Sequence, residues 1–249
     1  MTATATAWPL VDGLYRSPAL TQLGLVAGFT TRAEGSLAGS VFAQDLQDRA
    51  RERLARRLGF TEVVRVRQVH GDRVVRAPHG ESPWPEADAI WTDAPGVLLG
   101  VAAADCVPVL VADAAGRLGA AHAGWEGTTK RVAQALVRVL VEAGADPGAL
   151  VAAIGPSIGP CCYTVDEARA GVIRERLGPS AADALQAGKD RLSFDLWGAN
   201  ATQLADAGVR TVETAGLCTR CGGADLYSYR ARGERWPQGT ALAVLGRPA

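Results

Sequence analysis

The sequence has little that would direct the protein to nucleic acid, to a membrane or out of the cell. Lysine plus arginine and aspartate plus glutamate both number 26, so no basic surplus favours nucleic acid or an anionic membrane as a partner. Residues 1–10 lack the basic start and the continuous apolar stretch of a secretory signal. We therefore expect a cytoplasmic protein whose partners are small molecules, with its oligomeric state left open.

The longest apolar region lacks the uninterrupted character of a membrane span. Residues 96–116 contain Asp105, Pro108 and Asp113, and carboxylates at membrane depth are costly. This region therefore indicates buried strands.

Cysteine is present in a number that argues against a disulfide framework. There are five, an odd number, and a cytoplasmic chain keeps such thiols reduced. Two short groups, Cys161-Cys162 and Cys218-Thr219-Arg220-Cys221, leave a thiol redox or binding protein open. No thioredoxin-like first strand precedes the second group, so packing or incidental cysteine is the favoured interpretation.

Strand and helix signals alternate along the chain, without internal repeats or a Pro/Gly/Ser-rich linker. The predicted strands span residues 25–31, 62–70, 72–77, 87–92, 97–103, 107–113, 117–123, 150–154, 209–214, 226–230 and 241–245. The predicted helices span residues 43–58, 128–143, 166–177 and 195–207. This order favours an α+β fold of layered, mixed and largely antiparallel sheets covered by helices, in a single domain of residues 1–249.

Several local details can be predicted as well. Gly71 predicts a tight reversal between strands 62–70 and 72–77. Thr128 or Thr129 is predicted to cap the helix over residues 128–143. The helix over residues 43–58 carries a stripe of apolar side chains at four-residue spacing that predicts core contact: Leu46, Ala50, Leu54 and Leu58.

Short connections between the strands over residues 97–103, 107–113 and 117–123 predict that consecutive strands are antiparallel neighbours, with a hairpin between the last two. If residues 114–116 form a three-residue loop with Gly116 in the left-handed conformation, Cys106 faces Gly124 and His122 faces Pro108. Cys106 and His122 are then diagonal neighbours on one face, roughly 7 Å apart by backbone, which their side chains can close onto a common ion.

Histidine is scarce, and two of the three histidines lie in unusual short runs. His70, Cys106 and His122 offer two imidazoles and a thiolate, a zinc set that leaves a fourth position for water, as in catalytic sites. A cysteine that packs as a small apolar residue and a histidine bonded to a carbonyl are the alternative, because no compact metal motif is present. His79, in the Pro/Gly/Ser-rich residues 78–85, is predicted to be a loop residue and not a ligand.

Several motifs occur in one order between Phe29 and Arg230, and together they resemble the YfiH/YlmD family. They are Gln68-Val69-His70-Gly71, Ala104-Asp105-Cys106-Val107-Pro108, His122-Ala123-Gly124-Trp125, Ile154-Gly155-Pro156 with Tyr163, and Cys218-Thr219 followed by Ser228-Tyr229-Arg230. This family is also called laccase-domain or multicopper polyphenol oxidase-like. The resemblance implies a CNF/YfiH-like cysteine hydrolase fold, with zinc bound by the catalytic residues His70, Cys106 and His122.

The resemblance also implies an activity. The family is associated with phosphorolysis of purine nucleosides, including adenosine, inosine and methylthioadenosine, and with adenosine deamination. Arg32, which matches the arginine of the family's Thr-Thr-Arg segment, and Arg230 are predicted to bind substrate or phosphate, because guanidinium binds phosphate through paired hydrogen bonds. The helix start near Thr128 is expected to add backbone N–H groups.

Two acidic residues bear on these expectations. The family usually has arginine where this chain has Glu126, and a carboxylate there would repel phosphate, which favours hydrolysis or deamination over phosphorolysis. Asp105, adjacent to Cys106, is expected to cap nearby amides, with ligand orientation or proton transfer as the alternative.

Two other functions stay open. In a metal-independent hydrolase Cys106 would be a nucleophile activated by His122. One function of this kind, related to the family, is the removal of a wrong amino acid from peptidoglycan precursors. A copper polyphenol oxidase is disfavoured by count, because a laccase-like centre needs many more imidazoles than the three present. Zinc is therefore the expected cofactor, ahead of copper.

Overall fold

A computed structural model describes residues 4–77, 84–188, 191–232 and 238–249. The strands within them are, in chain order, β1 (Thr4–Ala5), β2 (Leu10–Val11), β3 (Leu14–Arg16), β4 (Val26–Thr30), β5 (Val63–Val64), β6 (Val74–Arg76), β7 (Ala89–Thr92), β8 (Leu98–Ala103), β9 (Val107–Ala112), β10 (Leu118–Ala123), β11 (Val151–Ile154), β12 (Thr164–Val165), β13 (Leu185–Ala187), β14 (Leu192–Phe194), β15 (Thr211–Thr214) and β16 (Ala241–Gly246). The α-helices are α1 (Pro18–Thr21), α2 (Gln44–Arg57), α3 (Trp125–Thr129), α4 (Val132–Glu142), α5 (Glu167–Leu177), α6 (Ala181–Ala184) and α7 (Leu196–Asp206).

The strands form two large sheets and one small one. A seven-stranded sheet has the order β1-β15-β11-β9-β10-β7-β6, and a six-stranded sheet has the order β2-β3-β4-β16-β8-β5. Neighbours are antiparallel through the centre of both large sheets, with parallel pairs such as β11 with β15 and β5 with β8 toward the edges. The small sheet, β12-β14-β13, carries no part of the site described below.

Alternating side chains of the central strands build the layers. Leu110 and Ala112 of β9 are buried between the two large sheets, in the same core as Phe29 of β4 and Leu99 of β8. The other face of β9 packs Val109 and Val111 against the helical side of the sheet, where α4 and α7 lie. Helix α2 covers the outer face of the six-stranded sheet. The predicted layered α+β fold, with largely antiparallel sheets under helices, is confirmed.

The predicted β9–β10 hairpin is confirmed in detail. The amide of Asp113 donates to the carbonyl of Arg117 at 3.1 Å, and Gly116 between them has φ +91°. His122 pairs with Pro108, as the three-residue loop requires. Loop length and one glycine therefore fix the register that matters for the site.

Helix ends follow the sequence in most places. Asp166 and Asp195 cap α5 and α7 by accepting hydrogen bonds from the amides of Arg169 and Gly198. The helix predicted over residues 128–143 is instead divided, because Arg131 adopts a left-handed conformation, with φ +64°, between α3 and α4. Neither threonine is its cap.

Three further expectations are wrong. No reversal joins two strands of one sheet at Gly71, because β5 belongs to the six-stranded sheet and β6 to the seven-stranded sheet. Likewise β8 and β9 are consecutive but unpaired, since the short connection between them crosses from one sheet to the other. Residues 226–230 form turns and bends rather than a strand.

Among the described residues, no helix combines the length and the apolar character that a membrane crossing requires.

The apolar stripe on α2 contacts the core only in part, and this yields a test. Leu54 is 0% exposed, whereas Leu46, in the first turns of the same helix, is 55% exposed. We expect Leu54→Ala to lower the free energy of unfolding by about 2–5 kcal/mol through lost burial and a residual cavity. The matched change Leu46→Ala should alter it by less than about 0.5 kcal/mol. Urea denaturation measures both, and equal losses would contradict this packing.

Candidate metal centre

The three predicted ligands lie where the chain passes from one large sheet to the other. Cys106 ends the connection from β8 to β9, and His70 lies in the connection from β5 to β6. Gln68 joins the second of these connections to the end of β8: its side-chain amide donates to the carbonyl of Ala102 at 2.9 Å and accepts from the amide of Ala102 at 2.7 Å. One edge of the sheet pair therefore brings both residues beside His122 of β10.

The ligand atoms of the three residues converge. One nitrogen of each histidine and the Cys106 sulfur all lie within 4.8 Å of one another. The imidazole rings of His70 and His122 meet edge to face, with centroids 4.9 Å apart. His122 is buried, Cys106 is half-buried and His70 is exposed, so the group opens to solvent on the His70 side.

Backbone geometry around the group leaves no room for larger residues. A Cβ atom on Gly124, which faces Cys106, would lie 2.7 Å from the Cys106 sulfur. His70 itself has φ +59°, a conformation that is uncommon outside glycine. Lys130, which follows α3, donates to the carbonyl of His70 at 2.7 Å and supports this turn. The glycine and the turn let three side chains share one small volume.

A buried carboxylate orients two of the three ligands. Asp88 is 0% exposed and accepts hydrogen bonds from the amides of Val69, His70 and Gly71, at 3.1, 3.0 and 2.6 Å. The same carboxylate accepts from Nδ1 of His122 at 2.9 Å. Because Nδ1 is occupied, Nε2 is the atom of His122 left to bind a metal ion.

Asp88 was not among the residues predicted from the sequence. A signal does exist, since Asp88 is the one charged side chain in the apolar run over residues 87–90. It lies directly across from His122, whose amide donates to the carbonyl of Asp88 at 2.7 Å. The pairing of β7 with β10 would have been needed to recognise the contact.

The charges in the group favour a metal ligand. Burial alone raises the pKa of the Cys106 thiol, but attraction and hydrogen bonds from His122 and His70 outweigh burial and lower the pKa to about 6. Burial alone lowers the pKa of His122, but the Cys106 sulfur and Asp88 raise it to about 9. Cys106 is therefore a thiolate at neutral pH, the form that coordinates metals.

The donor set fits a zinc ion. Two imidazole nitrogens and a thiolate are ligands that zinc prefers, and a carboxylate behind one histidine is a usual support of such sites. Three protein ligands with one exposed side leave room for a further ligand from solvent or substrate. The group can also act without metal, as a cysteine thiolate beside a protonated histidine.

Two cavities meet at the group. The first, of about 430 Å³, reaches His70, Cys106 and His122 and is further lined by Arg65 and Trp84. The second, of about 500 Å³, reaches His70 and Cys106 from the other side. Its walls carry aromatic and cationic side chains: Trp125, Tyr163, Tyr229, Arg169 and Arg230.

Of the two arginines predicted to bind substrate, Arg230 lines the second cavity and Arg32 does not. Arg230 lies over the ring of Tyr163, 5.2 Å from its centroid, and lines that cavity. Arg32 lies over the ring of Tyr227 and donates to the carbonyl of Ala224, and it lines neither of these two cavities. Its role in binding substrate stays a prediction.

Other residues singled out in the sequence have defined places. Asp105 accepts hydrogen bonds from the hydroxyl of Thr219 and the amide of Arg230, at 2.6 and 2.8 Å, which matches the capping role expected of it. The amide of Thr128 donates to the carbonyl of Gly124, so it offers nothing to a ligand. His79 lies outside the described residues.

Glu126 lines the second cavity, but its charge is paired. Lys130, directly after α3, approaches the Glu126 carboxylate at 3.1 Å. Arg169 also lines this cavity and was missed in the sequence, where it is one of many arginines on a helix. The walls of this cavity therefore carry two arginines, Arg169 and Arg230, and two carboxylates, Asp105 and Glu126.

Known proteins are similar to this chain in sequence and in fold. The family model described as multi-copper polyphenol oxidoreductase laccase matches residues 27–247. A purine nucleoside phosphorylase of Deinococcus radiodurans is 40% identical over 250 residues, which cover 94% of this chain and 93% of that protein. Adenosine deaminase RL5, from an unknown prokaryotic organism, is 33% identical over 199 residues, 74% of this chain and 76% of that protein.

A solved structure agrees with these matches. The crystal structure of YlmD from Geobacillus stearothermophilus superposes with a TM-score of 0.83 at 32% identity, covering 96% of this chain and 97% of that chain. The chain therefore belongs to the multi-copper polyphenol oxidoreductase laccase family and has the fold of its YfiH and YlmD structures.

Proposed function

We propose that the protein is a zinc-dependent enzyme that acts on purine nucleosides, by phosphorolysis of adenosine and inosine and by deamination of adenosine. The observation that carries the proposal is the convergence of His70, Cys106 and His122 between two cavities. Relatives named purine nucleoside phosphorylase and adenosine deaminase support both reactions. On this proposal residues 1–249 work as one domain, and the partners are a nucleoside and phosphate.

Zinc suits the group better than copper. The whole chain has three histidines, whereas a laccase-like copper centre requires many more. When bound by His70, Cys106 and His122, zinc would supply a Lewis acid at the junction of the cavities. The chain's own residues would then hold the substrate and the attacking group against that point.

The second cavity suits a nucleoside. Its volume of about 500 Å³ lies within the range of pockets that enclose small ligands. The indole of Trp125 and the ring of Tyr163 line this cavity, with Arg169 over the first and Arg230 over the second, and aromatic rings stack on bases in other proteins. Guanidinium groups of Arg169 and Arg230 beside these rings would bind phosphate or polarise the base.

The choice between phosphate and water depends on charge in this cavity. Arg169 and Arg230 attract an anion, whereas Asp105 repels one, and Glu126 does so to the extent that Lys130 leaves its charge uncompensated. Because the ion pair is partly exposed, its net effect on phosphate is modest. We propose that both acceptors react, with Glu126 weakening the binding of phosphate.

Removal of a ligand gives the direct test of this function. We expect His70→Ala, Cys106→Ala and His122→Ala each to lose the zinc of this group and to reduce turnover by more than about 100-fold, since loss of a supporting residue alone costs 10- to 100-fold. Purified, metal-analysed protein is incubated with adenosine, with and without phosphate, and adenine, inosine and hypoxanthine are separated. The matched control is His79→Ala, which should retain zinc and activity.

The same assay distinguishes the alternative function. Full activity in any of the three variants would remove that residue from the mechanism. Undiminished activity in protein stripped of metal, abolished by Cys106→Ala, would instead establish the metal-independent cysteine hydrolase.

Asp88 is expected to act as a positioning residue. In Asp88→Asn the side chain keeps its size, but an NH2 donor replaces one of the two oxygens that accept from His122 Nδ1 and from the three amides. The hydrogen bond that fixes the tautomer of His122, and so keeps Nε2 available to zinc, is weakened or lost. We expect zinc affinity to fall about 10- to 100-fold, measured by competition with a chromophoric chelator. The exposed Asp93, changed to Asn, serves as control. Unchanged zinc affinity in the folded Asp88 variant would contradict this role.

Glu126 gives a test of acceptor choice. Replacing Glu126 with Gln removes a negative charge and leaves the charge of Lys130 uncompensated, so we expect the KM for phosphate to fall about fivefold, since one such charge is worth about 1 kcal/mol. The rate of deamination in the absence of phosphate should stay unchanged. Glu142→Gln, on the exposed end of α4, is the control. A KM for phosphate that stays equal or rises would show that Glu126 does not oppose phosphate.

A further inference from the structure

Four of the five cysteines gather in a second cluster, apart from the His70–Cys106–His122 group. The sulfur atoms of Cys161, Cys162, Cys218 and Cys221 all lie within 4.8 Å of one another. Cys218 is buried, Cys162 is half-buried, and Cys161 and Cys221 are exposed. The two pairs come from loops far apart in sequence, so the gathering is a product of the fold.

Distances within the cluster are those of ligands around an ion. The sulfurs of Cys161 and Cys221 are 3.6 Å apart, whereas a disulfide bond requires about 2.05 Å. Two sulfurs bound to one tetrahedral zinc at about 2.3 Å are separated by about 3.8 Å. We propose that Cys161, Cys162, Cys218 and Cys221 bind a second zinc ion. Four protein ligands leave no open position, so this site is structural rather than catalytic.

The backbone around the cluster is built to approach the sulfurs closely. The amide of Gly159 donates to the Cys218 sulfur at 3.3 Å. A Cβ atom at Gly159 would lie 2.7 Å from the ring of Trp197 and 3.2 Å from the Cys161 sulfur. Amide hydrogen bonds of this kind support the thiolate form of a metal-bound cysteine. Because Gly159 has no side chain, its backbone fits beside Trp197 and Cys161, and its amide can donate to the Cys218 sulfur.

The turn that carries Cys218 and Cys221 has the two-residue spacing common in zinc sites. It is closed by the amide of Gly222, which donates to the carbonyl of Cys218 at 2.7 Å. A Cβ atom on Gly222 would lie 2.6 Å from that carbonyl oxygen, so this position requires glycine. The tight turn directs both cysteines to one point.

The second zinc would fasten two loops beside the first centre. Ser157, in the loop after β11, forms a parallel bridge with Cys218, in the loop after β15. The next residue, Thr219, donates from its hydroxyl to Asp105 at 2.6 Å, and Asp105 precedes Cys106 in the chain. Two residues, Thr219 and Asp105, therefore link Cys218 of the cluster to Cys106, a ligand of the first centre. A zinc ion in the cluster would steady the backbone of that ligand.

Counting metal per chain tests the second site separately from the first. Full-length protein is loaded with zinc, passed over a desalting column and analysed by inductively coupled plasma mass spectrometry. We expect two zinc ions per wild-type chain and one in Cys161→Ser/Cys162→Ser. The matched double variant His70→Ala/His122→Ala should also retain one. If the proposed enzyme function is wrong, only the zinc count at the first centre is affected. The zinc ion at the four cysteines is still counted separately.

Thiol protection tests the site without any substitution. Zinc-loaded and EDTA-treated wild-type protein are alkylated with iodoacetamide, and each cysteine peptide is followed by mass spectrometry. We expect zinc to slow alkylation of the exposed Cys161 and Cys221 at least about tenfold, because a coordinated thiolate reacts slowly. Equal alkylation rates with and without zinc, or recovery of these cysteines as disulfides, would overturn the proposal. A wild-type chain that holds one zinc, lost in His70→Ala/His122→Ala, would overturn it as well.

Discussion

The carboxylate of Asp88 accepts hydrogen bonds from three successive amides, those of Val69, His70 and Gly71, and from the imidazole of His122. These four donors belong to two segments that lie far apart in sequence and meet across the edge of β7. A buried carboxylate without such partners would be costly, so the two segments hold Asp88 ionised and Asp88 holds them together. The relative placement of His70 and His122 follows from this one side chain.

The position of the group between two sheets explains its openness. Connections from the six-stranded to the seven-stranded sheet carry His70 and Cys106, and both end where the sheets separate. Buried strands fix His122 from behind, while the crossing segments leave a cavity on each side. The rigid pair of sheets thus positions the ligand side chains, and the irregular connections leave the group open to solvent. Functional sites are often built in this way.

Local chemistry made part of this predictable. The β9–β10 register followed from a three-residue loop and Gly116, and it correctly brought Cys106 opposite Gly124. Features that depend on which strands share a sheet were not predictable. The contact of Asp88 with His122 was missed, and a reversal was wrongly expected at Gly71. The cysteine cluster was missed for the same reason, because its two halves are adjacent only through the parallel pairing of β11 with β15.

The claim on which the account depends is that one zinc ion is shared by His70, Cys106 and His122. Anomalous diffraction from zinc-loaded crystals, collected on both sides of the zinc absorption edge, measures this directly. The account predicts a peak about 2.0–2.3 Å from one nitrogen of each histidine and from the Cys106 sulfur. Zinc-loaded crystals with no peak at this place, or with the three side chains turned apart, would contradict it.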